Sequence, residues 1–217
     1  MKRIPVSRWA AALLLLLALP RPGGAQVTLG VSAGMGFATL EGDDAGDPGR
    51  SDGLMGGAFL AFPVSDVFSV APGLYYVQKG AEETDGLVEE EVELDYLEVP
   101  VLGVFSLTGA GRPLGVSVFL GPSVAFELSC KFETEVGEDE LGASTDCDDD
   151  PDGERRKVDI GAIFGAGVSF PLSGSVGLLL NGGLDMGLRS IDDSPTELDI
   201  KNSMWFVTAG VAFPLGG

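Results

Sequence analysis

From residue 27 onward, bulky apolar residues alternate with small or polar ones over long stretches, which is the two-residue period of β-strands. Eight such stretches occur, at about 27–40, 53–62, 68–79, 92–106, 114–129, 158–170, 176–189 and 202–214. In the fifth, Leu114, Val116, Val118, Leu120, Val124, Phe126 and Leu128 share one parity, and Gly115, Ser117, Phe119, Gly121, Ser123, Ala125, Glu127 and Ser129 share the other. The sixth sets Val158, Ile160, Phe164, Val168 and Phe170 against Asp159, Gly161, Gly165, Gly167 and Ser169. The seventh sets Leu178, Leu180, Leu184, Met186 and Leu188 against Gly177, Asn181, Gly183, Asp185 and Gly187. A face rich in glycine and serine cannot build a solid apolar core, so the bulky face is expected to look outward, into lipid. The pattern predicts an all-β fold, a closed antiparallel up-and-down eight-stranded transmembrane β-barrel, apolar outside and polar inside. Each stretch meets the roughly 9–11 residues a tilted strand needs to cross hydrocarbon.

The connections alternate in length and charge. Those at about 41–52, 80–91, 131–156 and 190–200 are long and hold 26 of the 33 acidic residues, whereas those at about 63–67, 107–113 and 171–175 are short. Long outward loops and tight periplasmic turns are the outer-membrane arrangement, with both termini in the periplasm. Phe62, Phe68, Phe105, Phe170 and Phe213 fall beside the short turns or the C-terminus with apolar-face parity, while Phe37, Tyr76, Phe126 and Trp205 fall at the other end. They predict two aromatic girdles. In the fourth stretch Val92, Leu94 and Tyr96 have one parity and Leu97, Val99, Val101 and Phe105 the other, so a bulge near 95–97 or a strand rising beyond the bilayer is expected. A helical hairpin over 160–184 is the competing architecture, but Pro171 and the cluster Ser173, Gly174, Ser175 interrupt it.

The first 25 residues carry Lys2, Arg3 and Arg8, an apolar run from Trp9 to Leu19, and small residues at Gly23 and Ala25. They read as a signal peptide cleaved before Gln26, which leaves residues 26–217 as one barrel domain. The mature chain then has 9 basic against 33 acidic side chains, a net charge of −24. Such a field disfavours nucleic acid as a partner. The chain has no histidine, which excludes Ser-His-Asp and Cys-His catalysis and removes the commonest metal ligand; no enzymatic role is expected. In an exported protein, Cys130 and Cys147 are expected to form a disulfide.

With the strands placed, the segment Pro72, Gly73, Leu74, Tyr75, Tyr76, Val77, Gln78, Lys79, Gly80 resembles a "P-x-L-x-Y-x-x-K-G" signature, and Tyr96, Leu97, Glu98, Val99, Pro100, Val101, Leu102 resembles "Y-L-E-I-P-L-L". Both belong to the PorT-like outer-membrane β-barrel family, whose glycine-rich first strand is matched by Leu29 to Gly34. The resemblance implies an eight-stranded barrel inserted by the barrel-assembly machinery, in a family for most of whose members no activity is established; the leading expectation for function is a structural or accessory barrel that presents its loops to a partner or supports a secretion or envelope machine. Trp205, Val207, Ala209, Val211 and Phe213 at alternate positions look like the insertion signal, although Pro214 to Gly217 follow where an aromatic residue usually ends such chains.

The inward parity collects a polar lumen cluster of Tyr75, Lys79, Glu98, Glu127, Asp159, Asp185 and Arg189, together with Phe119. It is expected to form a paired, hydrogen-bonded plug in which Lys79 and Arg189 offset the carboxylates. Asp148, Asp150 and Asp152, before Gly153, have the oxygen-rich spacing of a calcium loop, interrupted by Pro151; a Ca2+ ion there is the one cofactor expectation. The expected partners are outer-membrane lipid and lipopolysaccharide, the assembly machinery during insertion, and a protein docking on the outward loops, with the barrel itself a monomer. The alternative function is a small channel for ions or small apolar solutes.

Overall fold

The computed structural model describes residues 26–46, 48–85, 88–108, 114–136, 143–147, 155–173, 176–193 and 198–215. The signal-peptide segment lies outside them. The chain forms β1 (Val27–Glu41), β2 (Ser51–Pro63), β3 (Phe68–Asp85), β4 (Val88–Ser106), β5 (Gly115–Val136), a short β6 (Ala143–Asp146), β7 (Val158–Ser173), β8 (Val176–Gly187) and β9 (Lys201–Leu215). Each long strand pairs antiparallel with its neighbours in sequence, β1 pairs with β9, and β4 pairs with β5. The sheet therefore closes into an eight-stranded barrel without free edges, and β6 adds to the edge of β5 above it. Closure satisfies every ladder within the sheet, which strands crossing lipid require. No helix among the described residues is long and apolar enough to cross a membrane; the crossing is made by strands, including β7 and β8 where a helical hairpin competed.

Register fixes the faces. Met35 pairs with Leu54, Tyr76 with Leu97, Leu97 with Phe126, and Leu184 with Trp205, so the bulky parity of every strand joins one continuous outer surface. Leu54, Leu120, Trp205 and Val207 on it are more than half exposed, an arrangement that is stable only against hydrocarbon. The Phe68 and Phe105 rings pack 4.7 Å apart near the turns. At the other end Phe37 pairs with Trp205. The spanning segments are the portions between these two aromatic levels.

The strands β3, β4 and β5 continue well past the upper girdle. Residues 82–85 and 88–91, which the period reading assigned to a connection, pair with one another as a hairpin, and β4 runs on against β5 from Val88↔Val136. Acidic residues at nearly every position hide this continuation from a hydropathy pattern. The expected irregularity near 95–97 is present: Tyr96 pairs with Glu127 but Asp95 pairs with Ser129, so Leu128 is an extra residue in β5. This bulge flips the parity of β5, turning Cys130 inward where Leu128 had pointed out.

Candidate functional site

Inward-facing residues meet in the lumen in three tiers. In the lowest, Lys79 of β3 stands between Glu98 of β4, 3.6 Å away, and Asp185 of β8, to which it is hydrogen-bonded across the barrel. The three side chains are 5%, 2% and 2% exposed. The ammonium also lies 5.6 Å from the centre of the Tyr96 ring. Burying charge this completely is tolerable only when it is paired, and removal of one partner costs far more than the pair gains. One ammonium serves two carboxyl groups here, and Glu98 Oε1 and Asp185 Oδ1 have no hydrogen-bond partner. Gly161 makes room for this tier, since a Cβ there would stand 2.8 Å from Ser123 Oγ and 3.0 Å from Asp185 Oδ1.

In the next tier the Asn202 amide donates to Asp159 Oδ2 at 2.9 Å and to the Tyr96 hydroxyl at 3.4 Å. Above and beside it, Arg155 donates through Nε and Nη2 to both oxygens of Glu127, at 2.9 and 2.7 Å, a bidentate pair with Glu127 almost wholly buried. The mouth is filled by an apolar cluster of Leu94, Tyr96, Ala125, Cys130 and Cys147, with Val92 and Ile191 packed on it. The Cys130–Cys147 disulfide is formed, with Cα atoms 5.4 Å apart, and fastens the chain after β6 to β5.

Of the residues expected in the lumen, Lys79, Glu98, Glu127, Asp159 and Asp185 are buried or nearly so, and Tyr75 lines the lumen below them. Arg189 departs from the expectation: it lies exposed beyond the end of β8, and the guanidinium that holds a lumen carboxylate is that of Arg155. The reason is length, because β8 stops at Gly187 while the chain carrying Arg155 folds back over the mouth. Sequence reasoning also missed Tyr96 and Asn202. The only signal for Arg155 is its place in the basic run Arg155, Arg156, Lys157 within an otherwise acidic connection.

The lower lumen is more apolar than a glycine and serine face suggests. Ala38, Val77, Phe119, Ile163, Met204 and Phe206 form a buried cluster that runs down from the level of Asp185. Glycines admit the rings: a Cβ on Gly165 would stand 2.6 Å from Phe119 Cζ, and one on Gly183 2.7 Å from Phe206 Cζ. Trp205, Val207, Val211 and Phe213 occupy the outer face of β9, which stays in register with β1 as far as Leu215↔Val27. Asp148, Asp150 and Asp152 lie outside the described residues.

An eight-stranded closed barrel, greasy without and charged within, defines an integral outer-membrane barrel protein. The chain belongs to the outer membrane protein β-barrel domain family, whose model matches residues 20–193. Comparison with curated proteins finds no match. Among solved structures, it is similar to the outer membrane protein OprG of Pseudomonas aeruginosa, at 11% identity and a TM-score of 0.47, covering 89% of this chain and 97% of that one. It is similar also to Ail, the attachment invasion locus protein of Yersinia pestis, at 16% identity and a TM-score of 0.45 over 87% and 99%. The Neisserial surface protein A matches at 13% identity and a TM-score of 0.44 over 86% and 97%.

Proposed function

We propose that this protein is a non-conducting accessory barrel of the bacterial outer membrane, which holds an acidic, disulfide-fastened platform above the bilayer for a partner of the cell envelope. The reading takes the turns and both termini as periplasmic and the long acidic connections as outward. The observation that carries it is the Lys79, Glu98, Asp185 tier, which meets across the lumen beneath a second polar tier and an apolar cap. An ion would have to break paired buried charges to pass, whereas a structural plug gains from them. The platform's charge selects a basic surface as partner. The two segments that resemble the PorT-like signatures lie on adjacent strands and hold Lys79, Tyr96 and Glu98, three members of this plug.

Reconstitution of the folded mature protein in a planar bilayer tests the reading. The expected result is a flat baseline, with conductance emerging only when Lys79, Glu98 and Asp185 are all replaced by alanine; steady unitary conductance from the unaltered protein would overturn it. Protease added to intact cells is expected to cut in the four long acidic connections and to spare the three short turns.

A further inference from the structure

Beneath the Lys79 tier side chains leave part of the lumen open. A cavity of about 260 Å³ runs toward the turn end, walled by Met55, Phe59, Leu102, Phe119, Met204 and Phe206. Its lining reaches Thr28, Ala61 and Ala212, close to the barrel's lower rim. Most of the wall's surface is apolar, with Thr28, Ser32, Ser69, Ser117, Asn181 and Thr208 set among it, and protein interiors rarely leave voids larger than a water molecule. The inner end is different in kind. Glu98 and Asp185 line it, and each keeps a buried carboxylate oxygen with no donor.

We propose that this cavity is a binding site for one slender, unbranched apolar molecule with a hydrogen-bond-donating, cationic head, a primary alkyl amine being the simplest, which enters from the turn end and donates to Glu98 and Asp185. Size sets the tail. A cavity of roughly 150 Å³ accommodates benzene, so this one takes a single longer chain and rejects a branched lipid. Charge sets the head. One ammonium already faces two carboxyl groups, so a second cation completes the set, and a carboxylate-headed chain of equal length meets only acceptors. The site does not depend on whether the barrel conducts or on what binds its outer platform.

The methionines provide the test. Met55 and Met204 line the cavity, while Met35 and Met186 are exposed on the lipid-facing side. The mature protein, folded in a zwitterionic micelle with carbon-13 methionine methyls, is titrated with decylamine and separately with decanoate. Saturable shifts confined to Met55 and Met204 are expected, with decanoate weaker by on the order of tenfold or more. Shifts at Met35 and Met186 alone, or at none of the four, would overturn the site, and equal responses to the two probes would overturn the head-group assignment. Ala71→Phe fills the cavity and is expected to abolish the decylamine shifts; should it fail to fold, Ala212→Phe at the rim serves the same purpose. Persistence of the shifts in the folded variant would overturn the location.

Discussion

The outer and inner faces of the same two strands, β4 and β5, exchange polarity at the upper girdle. Below it, β4 turns Leu97, Val99, Val101 and Phe105 outward and keeps Glu98 inside; above it, β4 turns Glu91, Glu93 and Asp95 outward and buries Leu94 and Tyr96. The backbone alternates without a break, so the inversion is written in side chains alone. Strand β5 reaches the same result through the Leu128 bulge, which brings Cys130 into the upper core. Surface polarity follows the solvent: hydrocarbon below selects grease, and water above selects charge around a small apolar core of soluble type. Each half stores its stability differently, and substitutions can separate them.

The largest effect is expected where the two halves meet. Lys79→Met leaves Glu98 and Asp185 buried without a cation, and the barrel should lose about 3–5 kcal/mol, measured by urea unfolding in micelles. Replacing all three together, with Glu98→Gln and Asp185→Asn added, should recover most of that loss. A single variant as stable as the unaltered protein would show that the tier is not a paired plug.

Next comes lipid contact itself. Leu120 is 56% exposed between the girdles and Leu128 is 57% exposed at the upper one. Equal exposure predicts equal tolerance if water bathes both, whereas a bilayer separates them: Leu120→Arg should cost about 2–4 kcal/mol and Leu128→Arg about 0–1 kcal/mol. Refolding yields into lipid vesicles report the difference, and indistinguishable costs would place the hydrocarbon boundary elsewhere.

The disulfide belongs to the upper half. It closes a separation of 17 residues, a loop length for which loss of the bond costs up to about 3 kcal/mol. Cys130→Ala with Cys147→Ala should speed hydrogen exchange in β6 and the upper part of β5, while exchange between the girdles stays unchanged. Acceleration throughout the barrel would mean that the two halves open together.

These contrasts also explain what the sequence disclosed. Parity alone located the lipid face of β5, β7 and β8, because hydrocarbon tolerates almost no polar residue there. The irregularity near Asp95 and the Cys130–Cys147 pairing were legible for similarly local reasons. The upper reach of β3 and β4 was not, since Glu82, Glu91 and Glu93 look like loop when water is the solvent of the outer face. Nor was the lumen network fully legible. Arg155 reaches Glu127 across 28 residues of sequence, and Asn202 meets Tyr96 across 106; pairings of that kind depend on barrel closure, which no single strand records. Arg189 had the parity for the lumen and lacked only a strand long enough to carry it there.

The smallest effect concerns two neighbours on one strand. Asp95 and Glu93 both sit above the girdle on the outer parity of β4, and partial burial alone would raise either carboxyl. At Asp95 that cause is outweighed by donors, namely Ser129 Oγ at 2.6 Å, the Tyr76 hydroxyl at 2.7 Å and the Gln78 amide at 3.2 Å, which hold it below its usual range. At Glu93 the charges of Glu133, Glu91 and Asp95 add to burial and hold it above. The folded state thus binds the Glu93 proton more tightly than the unfolded chain does. Acidification from neutral pH therefore stabilises the platform, with the gain complete below the ordinary value of 4.5. Asp95 acts in the opposite sense, its contribution being intact above the ordinary value of 3.8 and lost as pH falls through its depressed one. Hydrogen exchange of the upper β4 and β5 amides, corrected for intrinsic rate, should accordingly slow between pH 7 and 4.5 and quicken again at lower pH. Glu93→Gln should remove the first change and keep the second, whereas a variant that retains both would assign the acid response to some other carboxylate of the platform.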